Sequence, residues 1–169
     1  TREIARRGAF LQIDEPVLSQ GMREYGPTLG RIELLASEVP RDRASLHVCG
    51  GLARSKVLPA LLRLEHLSLL SLAFAGRSER ENRDLLDPRA WADHDLRLGA
   101  GCIGVQVSEP GDVMDGKAVE ELLTMVGERL GPERVAWVHP DCGLRATPPN
   151  LVPVLLANLR AGYDRAFPK

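Results

Sequence analysis

The chain has 169 residues, of which 44% are hydrophobic, and its 22 Lys and Arg residues nearly balance 23 Asp and Glu residues. This length and composition indicate a single domain over residues 1–169 with a substantial core. The even charge balance argues against nucleic acid or an anionic membrane surface as a partner. The sequence contains neither the apolar core of a signal peptide nor an apolar run near the ~20 residues of a membrane span, so we expect a cytoplasmic protein.

Five short apolar runs predict β-strands. They are Phe10–Ile13, Leu46–Val48, Leu69–Phe74, Cys102–Val107 and Val135–Val138. Between the last two strands, apolar residues with helical spacing follow Asp115, a suitable N-cap. A further helix is predicted from Asn150 to Arg160, with Gly162 beyond its end, and Ser55 could cap another. Strand and helix alternate, which predicts βαβ units, a parallel sheet and an α/β fold.

Residues with reactive or ligating side chains fall where the predicted strands end. They are Asp14 after the first strand, His47 and Cys49 at the second, Ser108 and Glu109 after the fourth, and Cys142 after the fifth. Carboxyl ends of strands form the rim on which TIM (β/α)8 barrels place their sites. Because no Gly-x-Gly-x-x-Gly turn follows the first strand, a dinucleotide-binding sheet has no support.

A complete barrel has eight βα units, whereas this chain supplies about five. We therefore expect the chain to be the C-terminal part of a barrel, completed by N-terminal units absent from it or by a second chain. The sequence starts at Thr1 rather than at methionine, which is consistent with a piece of a longer protein.

The segment LHVCGG places an imidazole and a thiol two residues apart, so both would point to one face of a strand. Alone, His47 and Cys49 also fit an ordinary satisfied histidine beside a small buried thiol. Cys142 supplies a third donor on the same rim, and one nitrogen with two thiolates suits a catalytic Zn²⁺ site. The remaining cysteine, Cys102, is predicted to start its strand at the opposite end, in the core.

The segments LQIDEP, LHVCGG and HPDCGLRATPPNLVPVLLANLRAG occur in this order. They resemble the C-terminal catalytic barrel of cobalamin-independent methionine synthase, within a superfamily that includes uroporphyrinogen decarboxylase-like proteins. The resemblance implies zinc ligation by His47, Cys49 and Cys142, and a contact from Asp14 to the amino group of homocysteine. It implies a zinc-dependent methyltransferase in which the thiolate attacks the methyl group of methyltetrahydrofolate or of a methyl-corrinoid.

Two positions depart from the family pattern. The family commonly has a further glutamate ligand on the strand after His-x-Cys, where this chain has Ala73. The family's proton-donating histidine is replaced by Ser108 or Glu109, so we assign Ser108 to substrate binding and Glu109 to catalytic proton transfer. These departures keep open a non-catalytic or truncated relative that uses the barrel scaffold for binding or assembly. Arginines at 77, 80, 83 and 89 alternate with acidic residues and predict a solvated face.

Overall fold

A computed structural model describes residues 1–76 and 79–168, so Arg77 of the predicted solvated face lies outside the described residues. The strands are β1 (Leu11–Asp14), β2 (Ala44–Val48), β3 (Leu69–Ala73), β4 (Arg97–Ile103) and β5 (Val135–Pro140). The α-helices are α1 (Arg2–Arg6), α2 (Gly26–Ala36), α3 (Leu58–Leu61), α4 (Pro88–Trp91), α5 (Gly116–Leu130) and α6 (Val152–Ala166). Short 3-10 helices span Pro16–Gln20, Arg41–Arg43, Arg80–Leu85, Pro110–Asp112, Pro132–Arg134 and Leu144–Ala146.

The five strands form one parallel sheet in the order β1-β2-β3-β4-β5, which confirms the predicted α/β fold. The pairing places Asp14 beside His47, and His47 beside Ser71 on β3. Further along the sheet, Ser71 pairs with Gly99 and Gly101 pairs with His139. The register therefore aligns the carboxyl ends of all five strands at one edge.

The sheet is strongly curved. In a flat sheet, four inter-strand steps would separate β1 from β5 by about 19 Å. Phe10, directly before β1, nevertheless lies against Trp137 of β5, with ring centroids 4.7 Å apart. The sheet thus curls as part of a TIM barrel, and the side chains on its concave face meet across the interior.

Helices cover the convex side of the sheet. α5 and α6 pack on each other, and both contact β4. The core includes fully buried Leu46, Leu72 and Trp91, and the indole nitrogen of Trp91 donates to the Leu85 carbonyl oxygen at 3.0 Å. Within the described residues, no helix combines the length and apolar character needed to cross a membrane.

The fourth strand lies earlier than the sequence predicted, at Arg97–Ile103 rather than at 102–107. Its two glycines, Gly99 and Gly101, interrupt the apolar pattern that predicts a strand, and glycine usually weakens a strand. Here both positions are crowded: a Cβ atom on Gly101 would lie 3.0 Å from the Cα atom of Ala73. Cys102 is therefore near the carboxyl end of β4, although it is fully buried in the core as predicted.

The helix predictions were partly correct. α5 starts after Asp115, whose carboxylate accepts a hydrogen bond from the Ala118 amide at 2.8 Å. The third helix is only the four-residue α3, although the Ser55 hydroxyl does accept a hydrogen bond from the Val57 amide before it. α6 continues to Ala166, so Gly162 is inside the helix and not beyond its end.

Gly162 is required where α6 crosses α5. A Cβ atom there would lie 2.5 Å from Cγ1 of Val119 and 2.9 Å from the Glu120 amide nitrogen. Gly30 in α2 is the matched opposite case, because nothing lies within 4 Å of a Cβ atom at that position. Substitutions at the two glycines therefore separate the effect of packing on stability from the effect of helix propensity.

We expect Gly162→Ala to lower the free energy of unfolding by about 1–3 kcal/mol, because overpacking outweighs the gain in helix propensity. Gly30→Ala should raise the same quantity by about 0.5–1 kcal/mol, because only the propensity changes. Urea unfolding followed by circular dichroism measures both. A stabilising Gly162→Ala would contradict the close helix contact.

Candidate metal centre

Three ligand-type side chains meet at the carboxyl edge of the sheet. His47 lies in β2, Cys49 follows that strand, and Cys142 follows β5. Nε2 of His47 is 3.0 Å from Sγ of Cys49, which is 3.0 Å from Sγ of Cys142. Their donor atoms all lie within 4.8 Å of one another. The predicted convergence of these three residues is therefore present in the fold.

The chain turns sharply after Cys49. Gly50 has φ +85°, a conformation that L side chains rarely adopt. The buried Asn82 anchors this turn: its amide nitrogen donates to the carbonyl oxygens of Gly50 and Ala73, each at 2.9 Å, and its oxygen accepts from the Leu52 amide. Asn82 thus connects the turn after β2 to the end of β3. No sequence pattern pointed to Asn82, because an asparagine in a charged segment is ordinary.

Cys142 is positioned through its neighbour Asp141. The Asp141 carboxylate is buried and accepts hydrogen bonds from the amides of Phe74, Ala75 and Gly76, at 2.5–3.2 Å. It therefore joins the loop after β5 to the end of β3. Burial raises the pKa of Asp141 to about 6, against the opposing effect of these three amides.

The site disfavours charge on His47 and Cys49. Burial and the neighbouring His139 lower the pKa of His47, which favours the neutral imidazole that binds metals. Burial and the Cys142 thiol raise the pKa of Cys49 to about 12. A divalent cation would reverse the preference of the Cys49 thiol, because coordination deprotonates it. The donor set of one imidazole and two thiols fits Zn²⁺ better than Mg²⁺ or Ca²⁺, which select oxygen.

A cavity of about 290 Å³ opens beside these donors on the concave face. Its lining includes the three ligand-type residues and Asp14. The Asp14 carboxylate accepts a hydrogen bond from the side-chain amide of Gln12 at 2.9 Å. Ser71 and His139 also line it, although sequence patterns assigned them no role. A second cavity, of about 390 Å³, borders Cys142 on the other side and includes Asp141 and Glu79.

Ser108 and Glu109 lie farther from the strand than predicted, because β4 ends at Ile103. Both are exposed, and their amides donate to the Asp112 carboxylate at 2.8 and 3.1 Å. Neither residue lines the two cavities that border Cys142 in the described part of the chain. Their assigned roles remain predictions. Ala73 is buried at the end of β3 and offers no ligand, while Ser71, two residues earlier, bonds to His47.

A curled parallel sheet with a cluster of metal-ligand side chains at its carboxyl edge defines a TIM-type barrel with a candidate metal centre. The chain is 33% identical over 139 residues to a methionine synthase of Methanothermobacter marburgensis. It is 28% identical over 155 residues to a 5-methyltetrahydropteroyltriglutamate–homocysteine methyltransferase of Burkholderia mallei. No family model matches the chain.

Among solved structures, a B12-independent methionine synthase from Shewanella sp. W3-18-1, in complex with selenomethionine, superposes with a TM-score of 0.75 at 16% identity. The two sequence relatives and the shared fold support the cobalamin-independent methionine synthase family as the family of this chain. The matches cover 82%, 86% and 92% of this chain but only 41%, 19% and 47% of the three relatives. The chain thus spans less than half the length of each of these relatives.

We expect the pKa of Asp141 in the metal-free protein to be about 6. Because the folded-state pKa is raised, the folded protein binds more protons than the unfolded chain between pH 4 and 6. Asp141 should therefore lower the free energy of unfolding by up to about 3 kcal/mol as pH rises through this range.

Carboxyl ¹³C shifts followed through a pH titration with chelator present measure this pKa directly. Asp112 is an internal control, because it is exposed and two backbone amides lower its pKa below the usual range. A depressed pKa at both residues would show that amide hydrogen bonds outweigh burial at Asp141.

Proposed function

We propose that this chain is the thiol-activating part of a zinc-dependent methyltransferase of the methionine synthase type. The observation that carries the proposal is the meeting of His47, Cys49 and Cys142 in one cavity with Asp14. A scaffold without catalysis would have no physical need for three metal-type ligands beside a carboxylate. The names of the relatives, methionine synthase and homocysteine methyltransferase, support the same activity.

His47, Cys49 and Cys142 would hold the zinc ion, with one position left for the substrate sulfur. Zinc, when bound, supplies Lewis acidity that keeps a substrate thiol deprotonated near neutral pH. The position that carries a glutamate ligand in the family holds Ala73, so three protein ligands would complete the set. Ser71, the β3 residue at the site, touches His47 instead.

Homocysteine is the proposed thiol, and Asp14 the proposed partner of its ammonium group. Asp14 suits this role because it is exposed to the cavity and an ionised carboxylate pairs well with an ammonium group. The substrate thiol would lose its proton to solvent, and the sulfur would then form a bond to the methyl group while the electron pair of the broken bond stays on the methyl donor. The donor is methyltetrahydrofolate or a methyl-corrinoid. Ser108 would contact substrate and Glu109 would transfer a proton, both from the exposed loop after β4.

We further propose that other βα units complete the barrel, supplied by the same protein or by a second chain. β1 and β5 are the two end strands of the sheet, and both have a free pairing edge within the part of the chain described. The edge of an end strand presents unpaired backbone N–H and C=O groups, and proteins normally pair or cover such edges. We place the protein in the cytoplasm, because its thiol ligands need a reducing compartment. Methyl transfer to homocysteine would place it in methionine biosynthesis.

We expect the purified protein to bind one Zn²⁺ per chain, as measured by mass spectrometry of metal content and by competition with a chromophoric chelator. Cys142→Ser should weaken binding by about a hundredfold or more, because a thiolate ligand is lost. Cys102→Ala is the matched control, since that thiol is buried in the core away from the cluster. Absence of zinc from the wild-type protein, or unchanged binding by Cys142→Ser, would leave only the scaffold interpretation.

Zinc affinity should fall as pH decreases. The pKa of Cys49 is raised to about 12 in the metal-free protein, so its thiol must lose a proton when zinc binds. If both thiols release protons, the affinity should change by about a hundredfold per pH unit near neutrality. Competition titrations in steps of about half a pH unit, from about pH 6.5 to about 7.5, would show this slope.

The role of Asp14 can be tested with two thiols. Homocysteine should bind the metal-loaded protein about tenfold or more tightly than 4-mercaptobutyrate, which has no amino group, because only homocysteine pairs with the Asp14 carboxylate. Asp14→Asn should remove most of this difference while leaving the affinity for 4-mercaptobutyrate unchanged. Sulfur-to-Co(II) absorption in the Co(II)-loaded protein reports thiol binding. An equal loss for both thiols would exclude an amine-specific contact.

A further inference from the structure

Four polar groups form an unbroken hydrogen-bonded chain behind the metal-ligand cluster. The Pro140 carbonyl oxygen is 2.6 Å from Nδ1 of His139, and Nε2 of the same ring is 2.8 Å from the Ser71 hydroxyl. The Ser71 hydroxyl is in turn 2.8 Å from Nδ1 of His47. The chain ends at Nε2 of His47, the atom that faces Cys49.

The carbonyl group fixes the direction of every bond in this chain. A carbonyl oxygen can only accept, so Nδ1 of His139 carries a proton. In a neutral imidazole, Nε2 of His139 is then the acceptor, and the Ser71 hydroxyl donates to it. The lone pairs of Ser71 remain for the proton on Nδ1 of His47. Nε2 of His47 is consequently left with a free lone pair directed toward the thiols.

We propose that Ser71 and His139 are positioning residues that hold His47 in its metal-binding tautomer, with the proton on Nδ1 and the lone pair on Nε2. The inference rests on the metal-dependent function proposed above and names two residues that act through His47. Metal-bound histidines generally use the second ring nitrogen in this way, and loss of such a partner costs about 10–100-fold in metal affinity.

Burial makes the arrangement specific. Ser71 is 2% exposed and His47 is 6% exposed, so water cannot readily replace the hydroxyl group between the two rings. The rings themselves are 5.8 Å apart between centroids and meet edge to face at 79°. A side chain without a hydroxyl at position 71 would therefore leave Nδ1 of the buried His47 without a partner, which is costly.

The hydrogen-bonded chain crosses β4, which lies between the strands of Ser71 and His139. It can do so because Gly99 of β4 has no side chain. A Cβ atom on Gly99 would lie 3.2 Å from Cβ of Ser71 and 3.3 Å from Nε2 of His139. The glycine therefore leaves space for the contact between residues two strands apart.

The first test measures the tautomer of His47 in the metal-free wild-type protein. Two-bond ¹⁵N–¹H correlations of the imidazole rings distinguish protonated from unprotonated nitrogen, and a His47→Gln variant assigns the signals. We expect the proton of His47 on Nδ1 and the proton of His139 also on Nδ1. A His47 ring with its proton on Nε2 would overturn the proposal without any variant having to fold.

The second test measures Co(II) affinity by absorption titration. Ser71→Ala should weaken Co(II) binding by about 10–100-fold, and Ser71→Thr, which keeps a hydroxyl group, should restore most of it. Ser68→Ala is the matched control, because the hydroxyl of this buried serine donates to the Ala44 carbonyl oxygen. In the Ser71→Ala protein, the ring signals of His47 should also lose their Nδ1-protonated pattern.

The two proposals fail in different ways. A wild-type protein that binds neither Zn²⁺ nor Co²⁺ would remove the proposed function, while the tautomer measurement would still decide whether Ser71 and His139 act on His47. Co(II) binding in which Ser71→Ala and Ser68→Ala both differ from wild type by less than twofold would overturn the positioning role and leave the metal site in place.

Discussion

The parallel register of a curved sheet is the constraint on which the site depends. Adjacent parallel strands align their carboxyl ends, and curvature directs side chains at those ends toward a common space. The chain positions of Asp14, His47 and Cys142 are far apart, but each follows or ends a strand of the same sheet. The turn held by Asn82 and the loop held by Asp141 then fix the directions of the two thiols.

Burial favours the uncharged form of three titratable groups at or beside the site. It lowers the pKa of His47 and raises those of Cys49 and Asp141, so each group favours its uncharged form in the metal-free protein. Charged donors without a cation would be costly in such surroundings. A divalent ion would supply the missing positive charge, and its binding would explain how a partly buried pocket can contain two thiols that become thiolates.

The sequence predicted the parts of the fold and the site that have strong local patterns. Apolar runs located four strands. His47, Cys49 and Cys142 were predicted because all three fall at strand ends on one rim, in segments that resemble the methionine synthase family. The predicted boundaries of β4 were wrong because Gly99 and Gly101 interrupt the apolar run. Atoms of neighbouring segments leave little room for a side chain at either position, and this crowding is visible only in the fold. Ser71 could not be recognised, because a serine within a strand is ordinary until its two histidine partners are known.

The spacing of the ligands along the chain has a mechanical consequence. Cys49 and Cys142 are 93 residues apart, and they follow β2 and β5, strands separated by two others in the sheet. An ion bound by both would be a cross-link across the concave face, and it would close the long loop of chain between the two cysteines. It would oppose flattening of the sheet, so the ion proposed to prepare a sulfur nucleophile would also maintain the curvature that assembles its ligands.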